Sequence, residues 1–172
     1  MTSDSNQQRD PAVQEMLDKM AISEAIMRYF RGVDRADAEL ISSTYHPDAW
    51  DEHDGHEFNG LTVGPGIVET VLRSMTATRH NVGTQTIEVY GDEAAAETYC
   101  TGNHTLRDGR RIHTFVRYLD RLERRNGEWR IIHRSSVIDP FGLLPPLQDT
   151  GHNPPELARR DRTDPSYQLF QS

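Results

Sequence analysis

The feature that most constrains this chain is a change of hydrophobic period near residue 79. Before it, apolar residues recur every three or four positions; after it, they alternate, and the alternation is broken at Tyr90-Gly91-Asp92, Arg107-Asp108-Gly109 and Arg125-Asn126-Gly127. Asp-Gly and Asn-Gly between alternating runs are hairpin signals, because both tolerate the positive φ that tight turns demand. Four strands are therefore expected, at about 79 to 90, 93 to 107, 110 to 124 and 128 to 139. Helices first and an antiparallel meander after them describe an α+β domain with its helices packed on one face of the sheet.

Ahead of the meander, Asp10-Pro11 supplies an N-cap and a first-turn proline. Val13, Leu17, Met20, Ile22, Ile26, Tyr29, Phe30 and Val33 then mark one face of a long helix ending near Gly32, with Glu15/Lys19 and Glu24/Arg28 as i,i+4 pairs. A second short helix is expected from Ala36 to about Tyr45, stopped by His46-Pro47. An acidic, His-rich stretch from Asp48 to Asn59 reads as weakly strand-like at its ends. Gly64-Pro65-Gly66 opens a third helix whose buried stripe is Ile67, Val71, Leu72 and Met75.

The organisation read from this is a polar lead (1–10), one folded domain (11–140) and a proline-rich arm (141–172). Six of the nine prolines lie beyond Asp139, and the arm ends in Tyr167, Leu169 and Phe170, aromatic and apolar residues expected to lie on the domain or on a neighbour. A chain of 172 residues builds a core without disulfides, and the lone Cys100 cannot form an internal one. The opening residues have no apolar run of the kind a signal peptide or membrane span needs, so the expectation is a cytoplasmic protein with no membrane contact. A net charge of -8, with no basic stripe, argues against nucleic acid.

Two positions carry chemistry if the fold joins them. Asp34 closes Tyr29-Phe30-Arg31-Gly32-Val33-Asp34 at the negative end of a helix dipole, where an anion is disfavoured unless a cation or proton donor relieves it. His80 opens a strand in Arg79-His80-Asn81-Val82-Gly83-Thr84. An imidazole held by a carboxylate at Nδ1 leaves Nε2 as a general base. The plainer readings are an Asp34 that caps the helix at Ala36 and a His80 at the surface.

The chain resembles the SnoaL-like family of the nuclear transport factor 2-like superfamily over roughly residues 15 to 140. The resemblance rests on the helix ending at Asp34, on Tyr45-His46-Pro47-Asp48-Ala49, on Phe58-Asn59-Gly60, and on Arg125-Asn126-Gly127-Glu128-Trp129-Arg130-Ile131. It implies a cone-shaped α+β barrel, in which three helices close a strongly curved sheet around an apolar pocket. The family includes dehydratases, dehydrochlorinases and polyketide cyclases, whose chemistry begins with a proton removed next to an activating group. The family's catalytic aspartate and histidine fall on Asp34 and His80, its active-site tyrosine on Tyr29 and its arginine on Arg134. A second acid found in one branch falls about at Gly102, which cannot act as one.

Other candidates stay open between two readings. Tyr29 is either core or a phenol donating to substrate; Arg134 either binds substrate or pairs with a buried acid. His104 shares strand parity with Thr98, Cys100 and Leu106 and points either into a pocket or to its rim. Trp50 and Phe58 are pocket walls or core, and His53 reaches the pocket mouth. His53 and His56 with Asp51 or Asp54 have the right atoms for a divalent ion, but no metal-binding spacing, so no metal is expected. No Gly-rich phosphate loop or G-x-S-x-G elbow is present, so no cofactor is expected either. The resulting expectation is a cofactor-independent lyase or isomerase acting on a hydrophobic cyclic molecule, in a homo-oligomer, trimer or dimer. Its rival is a non-catalytic binding or assembly subunit with the same fold.

Overall fold

The structure, a computed structural model, describes residues 10–53, 55–70, 72–139, 142–144 and 159–169. The polar lead before Asp10, both Pro-Pro pairs and Phe170 lie outside the described residues.

Helix α1 (Pro11–Arg35) begins where the sequence places it: Asp10 accepts a hydrogen bond from the Ala12 amide at 2.8 Å, with Pro11 in the first turn. It runs one turn past Gly32 and ends at Ala36, whose φ of 51° is left-handed, with the Asp37 amide returning to the Gly32 carbonyl at 2.9 Å. Its buried stripe is Ile22, Ile26, Tyr29, Phe30 and Val33. Lys19 pairs with Glu15 at 2.7 Å, whereas Arg28 turns to Glu128 at 3.8 Å.

Helix α2 (Ala38–Ser42) is shorter than the expected 36–45. Tyr45 instead starts strand β1 (Tyr45–His53), and His46-Pro47 lies inside that strand rather than stopping a helix. The pairing of β1 is irregular between Tyr45 and Trp50, which accommodates a proline that cannot donate to a ladder. β2 (His56–Asn59) folds back on β1, and α3 (Val63–Thr70) follows, with a 3-10 turn at Leu72–Ser74. Gly64 sits where a Cβ would fall 2.1 Å from the Ala38 carbonyl oxygen, so only glycine lets α3 pack this closely on α2. Met75, expected on the third helix, is the first residue of β3; Val71 lies outside the described residues.

The four expected strands form as β3 (Met75–Tyr90), β4 (Glu93–Leu106), β5 (Arg111–Arg125) and β6 (Glu128–Ile138), and a short β7 (Gly142–Leu144) pairs with β5. The order is β2-β1-β6-β5-β4-β3, antiparallel except for β1 beside β6. Strands of up to 16 residues twist enough to curl the sheet without closing it. Asn126 and Gly127 both have positive φ, as the predicted hairpin requires. The helices pack against the concave face, where Tyr118, Leu122, Trp129 and Ile131 meet the α1 stripe. No described helix is long and apolar enough to cross a membrane.

The described end of the arm lies on the domain. The Tyr167 hydroxyl donates to Asp37 at 2.6 Å, the Arg31 guanidinium lies over the Tyr167 ring, and Arg35 meets Asp164 at 3.2 Å.

Candidate active site

The C-terminal turn of α1, the start of β3, the ends of β1, β4 and β6 and the start of β5 converge at one end of the sheet. They enclose a cavity of about 180 Å³. Its walls are mostly apolar, including Val33, Leu72, Met75 and Ile112, while His53, His80, His104, Thr78 and Tyr118 supply polar atoms.

Asp34 and His80, 46 residues apart, meet at this cavity. Nδ1 of His80 lies 2.7 Å from Oδ1 of Asp34, and the His80 backbone amide donates to Oδ2 at 3.1 Å. The imidazole is 9% exposed and the carboxylate 17%. With both carboxylate oxygens engaged by one residue, the ring has a single orientation, and a proton on Nδ1 leaves Nε2 unprotonated. The capping role open to Asp34 belongs to Asp37, whose carboxylate accepts from the Leu40 amide at 3.0 Å.

His104 lies beside the pair, its ring centroid 5.4 Å from that of His80. Burial, reinforced by the neighbouring His80, pushes its pKa down to about 4, so it is neutral at physiological pH. Gly102 makes room for it: a Cβ there would lie 2.5 Å from Nε2 of His104 and 2.4 Å from the Thr114 hydroxyl. An acid at position 102 and this histidine therefore exclude each other. Cys100 also lines the cavity, but burial and the nearby Asp34 push its thiol up to about 12, which removes it as a nucleophile.

Beside the cavity, behind Tyr118, is a buried polar cluster. Arg134 is fully buried; Nε and Nη2 donate to the two oxygens of Asp120 at 2.6 and 2.7 Å, and its guanidinium lies 4.1 Å from the Tyr29 ring centroid and 4.9 Å from that of Tyr118. Burial opposes the charge on Arg134, but Asp120 overcomes it and the side chain stays protonated. Asp51, buried as completely, accepts from the Tyr45 hydroxyl at 2.6 Å; burial raises its pKa while Arg134 and that hydrogen bond pull it back. His53 connects this cluster to the cavity, with Nδ1 3.4 Å from the Tyr29 hydroxyl and 4.0 Å from Asp51, and its ring stacked on Tyr118.

Four candidates from the sequence, Asp34, His80, His53 and His104, are thus brought together. Tyr29 and Arg134 are not at the cavity surface among the described residues: both belong to the cluster behind it, where the pairing of Arg134 with a buried acid is the reading that holds. Trp50 and Phe58 do not line it either. Trp50 is on the outer face of β1 opposite His133, out of step with Tyr45, Ala49 and Asp51, which point inward. Phe58 stacks on His56 and covers Gly66. Asp51 and His53 approach to 4.0 Å, but His46 turns to the Glu123 carbonyl at 2.9 Å and His56 stacks on Phe58, and no three potential ligands gather among the described residues. Sequence reasoning missed Tyr118 and Asp120. Both sit on the inward parity of β5 with Ile112, Thr114, Val116 and Leu122, and an acid on an otherwise apolar inward line signals a buried cation nearby.

A family model, described as a SnoaL-like domain, matches residues 14–135. The chain belongs to this family. Among solved structures it is similar to a type 2 hexachlorocyclohexane dehydrochlorinase, LinA, with a TM-score of 0.72 at 21% identity, covering 85% of this chain and 99% of that one. It is also similar to a putative scytalone dehydratase from Novosphingobium aromaticivorans, with a TM-score of 0.70 at 15% identity, covering 83% and 99%. A third is a putative aromatic ring hydroxylase from the same species, with a TM-score of 0.69 at 21% identity, covering 75% and 94%. At such identities the likeness is one of fold: helices on a curled, mostly antiparallel sheet. No curated protein is similar enough in sequence to count as a relative.

Proposed function

We propose that the protein is a cofactor-independent lyase or isomerase that begins its reaction by taking a carbon-bound proton from a small, hydrophobic cyclic molecule. The observation that carries this reading is the 2.7 Å contact between Asp34 and Nδ1 of a cavity-lining His80. A base needs a neutral nitrogen facing the guest and a nearby negative charge to stabilise the imidazolium that forms; Asp34 supplies the charge and fixes the tautomer. The dehydrochlorinase and dehydratase named among the structural neighbours fit a reaction of this class.

A volume of about 180 Å³ is close to that of an apolar cavity that holds one benzene and below the usual range for drug-sized ligands, so the guest is monocyclic unless the walls move. His80 removes the proton. His53, which also lines the cavity and is backed by Tyr29 and Asp51, meets the leaving group. Arg134 acts only through this cluster, holding Tyr29 and Tyr118 in position.

The experiment is incubation in deuterated water with a panel of monocyclic ketones, hydroxyketones and chlorinated cyclohexanes, with exchange and product formation followed by NMR and mass spectrometry. His80→Ala should abolish exchange, and Asp34→Asn should reduce it by roughly 10² to 10⁴-fold, both with a nearly unchanged melting temperature. Undiminished exchange in either variant removes the pair from the mechanism. No exchange or product across the panel in the wild type counts against catalysis itself and favours a binding protein.

A further inference from the structure

Two cavity-lining side chains and one residue of the C-terminal arm hold buried polar atoms without a hydrogen-bond partner. Arg160 lies beyond the residues that match the family model, yet its side chain reaches the start of β3, where Nη1 donates to the Met75 carbonyl at 2.6 Å. That bond fixes the guanidinium beside a residue of the cavity wall. Its other two nitrogens, Nε and Nη2, are sealed from solvent and find no acceptor among the described residues. Two cavity-lining side chains share this condition: the Thr78 hydroxyl and Nδ1 of His104 are buried without a hydrogen-bond partner. Thr78 and His104 face each other across the β3–β4 ladder, and His104 touches the ring of His80.

Buried donors without acceptors are costly, at about 1–3 kcal/mol each and more when charged, and such groups in a native fold point to strain, a catalytic role or a bound water or ion. Nε and Nη2 of one guanidinium form a planar fork that matches an oxygen anion. Burial works against the charge on Arg160, and Asp34 is the neighbouring charge that favours it.

We propose that Arg160, with Thr78, forms a binding site for an oxygen on the guest's ring that carries negative charge, either from the start or once the neighbouring proton has gone. The inference rests on the proposed function for the position of the reacting carbon. For a cyclic ketone the balance is complete: the α-proton goes to Nε2 of His80, the C–H pair becomes the C=C bond, and the carbonyl π pair moves onto oxygen as an enolate held by Arg160. Nothing is oxidised or reduced. The substrate class is thus a monocyclic ketone or enol whose oxygen points to the arm. Electrostatic stabilisation of a developing oxyanion is commonly the largest single contribution to such a reaction, and a fixed guanidinium in a water-poor site is suited to it.

The test is equilibrium binding of two rings of similar size, 4-nitrophenolate and nitrobenzene, by absorbance and calorimetry, to the full-length wild type, Arg160→Gln and Arg160→Lys. The wild type should prefer the phenolate by about tenfold or more, the range of a charge-assisted hydrogen bond. Arg160→Gln should lose that preference while binding nitrobenzene as before, and Arg160→Lys should keep part of it. Equal affinities in the wild type, a preference that survives in Arg160→Gln, or loss of both rings together in that variant would overturn the proposal, the last by showing that Arg160 only holds the arm in place. Binding involves no proton transfer, so the two readings fail separately. A protein that selects the phenolate through Arg160 but exchanges no proton refutes catalysis alone, and one that exchanges protons without this selectivity refutes the anion site alone.

Discussion

Replacing Arg134 by Met should destabilise the fold far more than loss of one side chain from a surface ion pair would. The guanidinium has no solvent exposure, makes two short bonds to Asp120 and is stacked between Tyr29 and Tyr118. Removing it leaves the carboxylate of Asp120 buried without its cation and takes the same favourable charge from Asp51. Breaking a buried pair from one side costs about 3–5 kcal/mol, a large part of the roughly 5–15 kcal/mol that holds a domain together. For a chain of this size that corresponds to a fall in Tm of roughly 6–20 °C. The double variant Asp120→Leu/Arg134→Met removes the orphaned charge and should recover at least half of the loss, because a buried ion pair is often no better than apolar residues of similar volume. What remains is Asp51. Its pKa is raised by burial, so its ionised form is destabilising above the folded pKa, and stability returns as the pH falls through that value and the carboxyl becomes neutral. The deficit of the double variant against wild type should therefore narrow on acidification. Urea unfolding of the wild type, both single variants and the double variant at several pH values completes the cycle. A double variant as unstable as Arg134→Met at every pH would refute the argument, because the loss would then come from packing around the rings and not from stranded charge.

Two further outcomes follow from the cavity wall. His104 has its pKa lowered from 6.5 to about 4, so between these values the unfolded chain binds a proton that the folded protein does not, and stability falls as the pH drops through this window. The loss totals about 3 kcal/mol, and denaturant titrations at a series of pH values should show it flattened in His104→Gln; an unchanged slope would mean that the imidazole is not held neutral. Gly102→Asp should displace His104 and occupy the cavity, so nitrobenzene binding measured by calorimetry should weaken by at least tenfold, and retention of wild-type affinity would show that the wall yields.

The Asp34–His80 pair was legible through the family resemblance; the local signal, an acid at a helix C-terminus that is costly without a partner, called for a partner but did not choose His80 over His46, His53 or His56. The long strands and their turns were legible because Asn126-Gly127 and Asp108-Gly109 dictate backbone geometry by themselves. The facing of β1 was not. There the large apolar Trp50 faces outward and the acid Asp51 inward, so reading the buried side from hydrophobicity points the wrong way. The partner of Arg134 could be inferred only as some acid, because its choice of Asp120 depends on the register between β5 and β6. Arg160 carried no signal at all. Its role comes from where the arm returns to the domain, which no local pattern encodes.

Three residues separate Asp34 from Asp37, and the labour is divided between them. Asp37 holds the start of α2 and receives the Tyr167 hydroxyl from the returning chain, while Asp34 contacts His80. The carboxylate that contacts the imidazole is therefore neither the cap of α2 nor the anchor of the arm, so the proposed charge shift between ring and carboxylate would draw on neither of those two bonds.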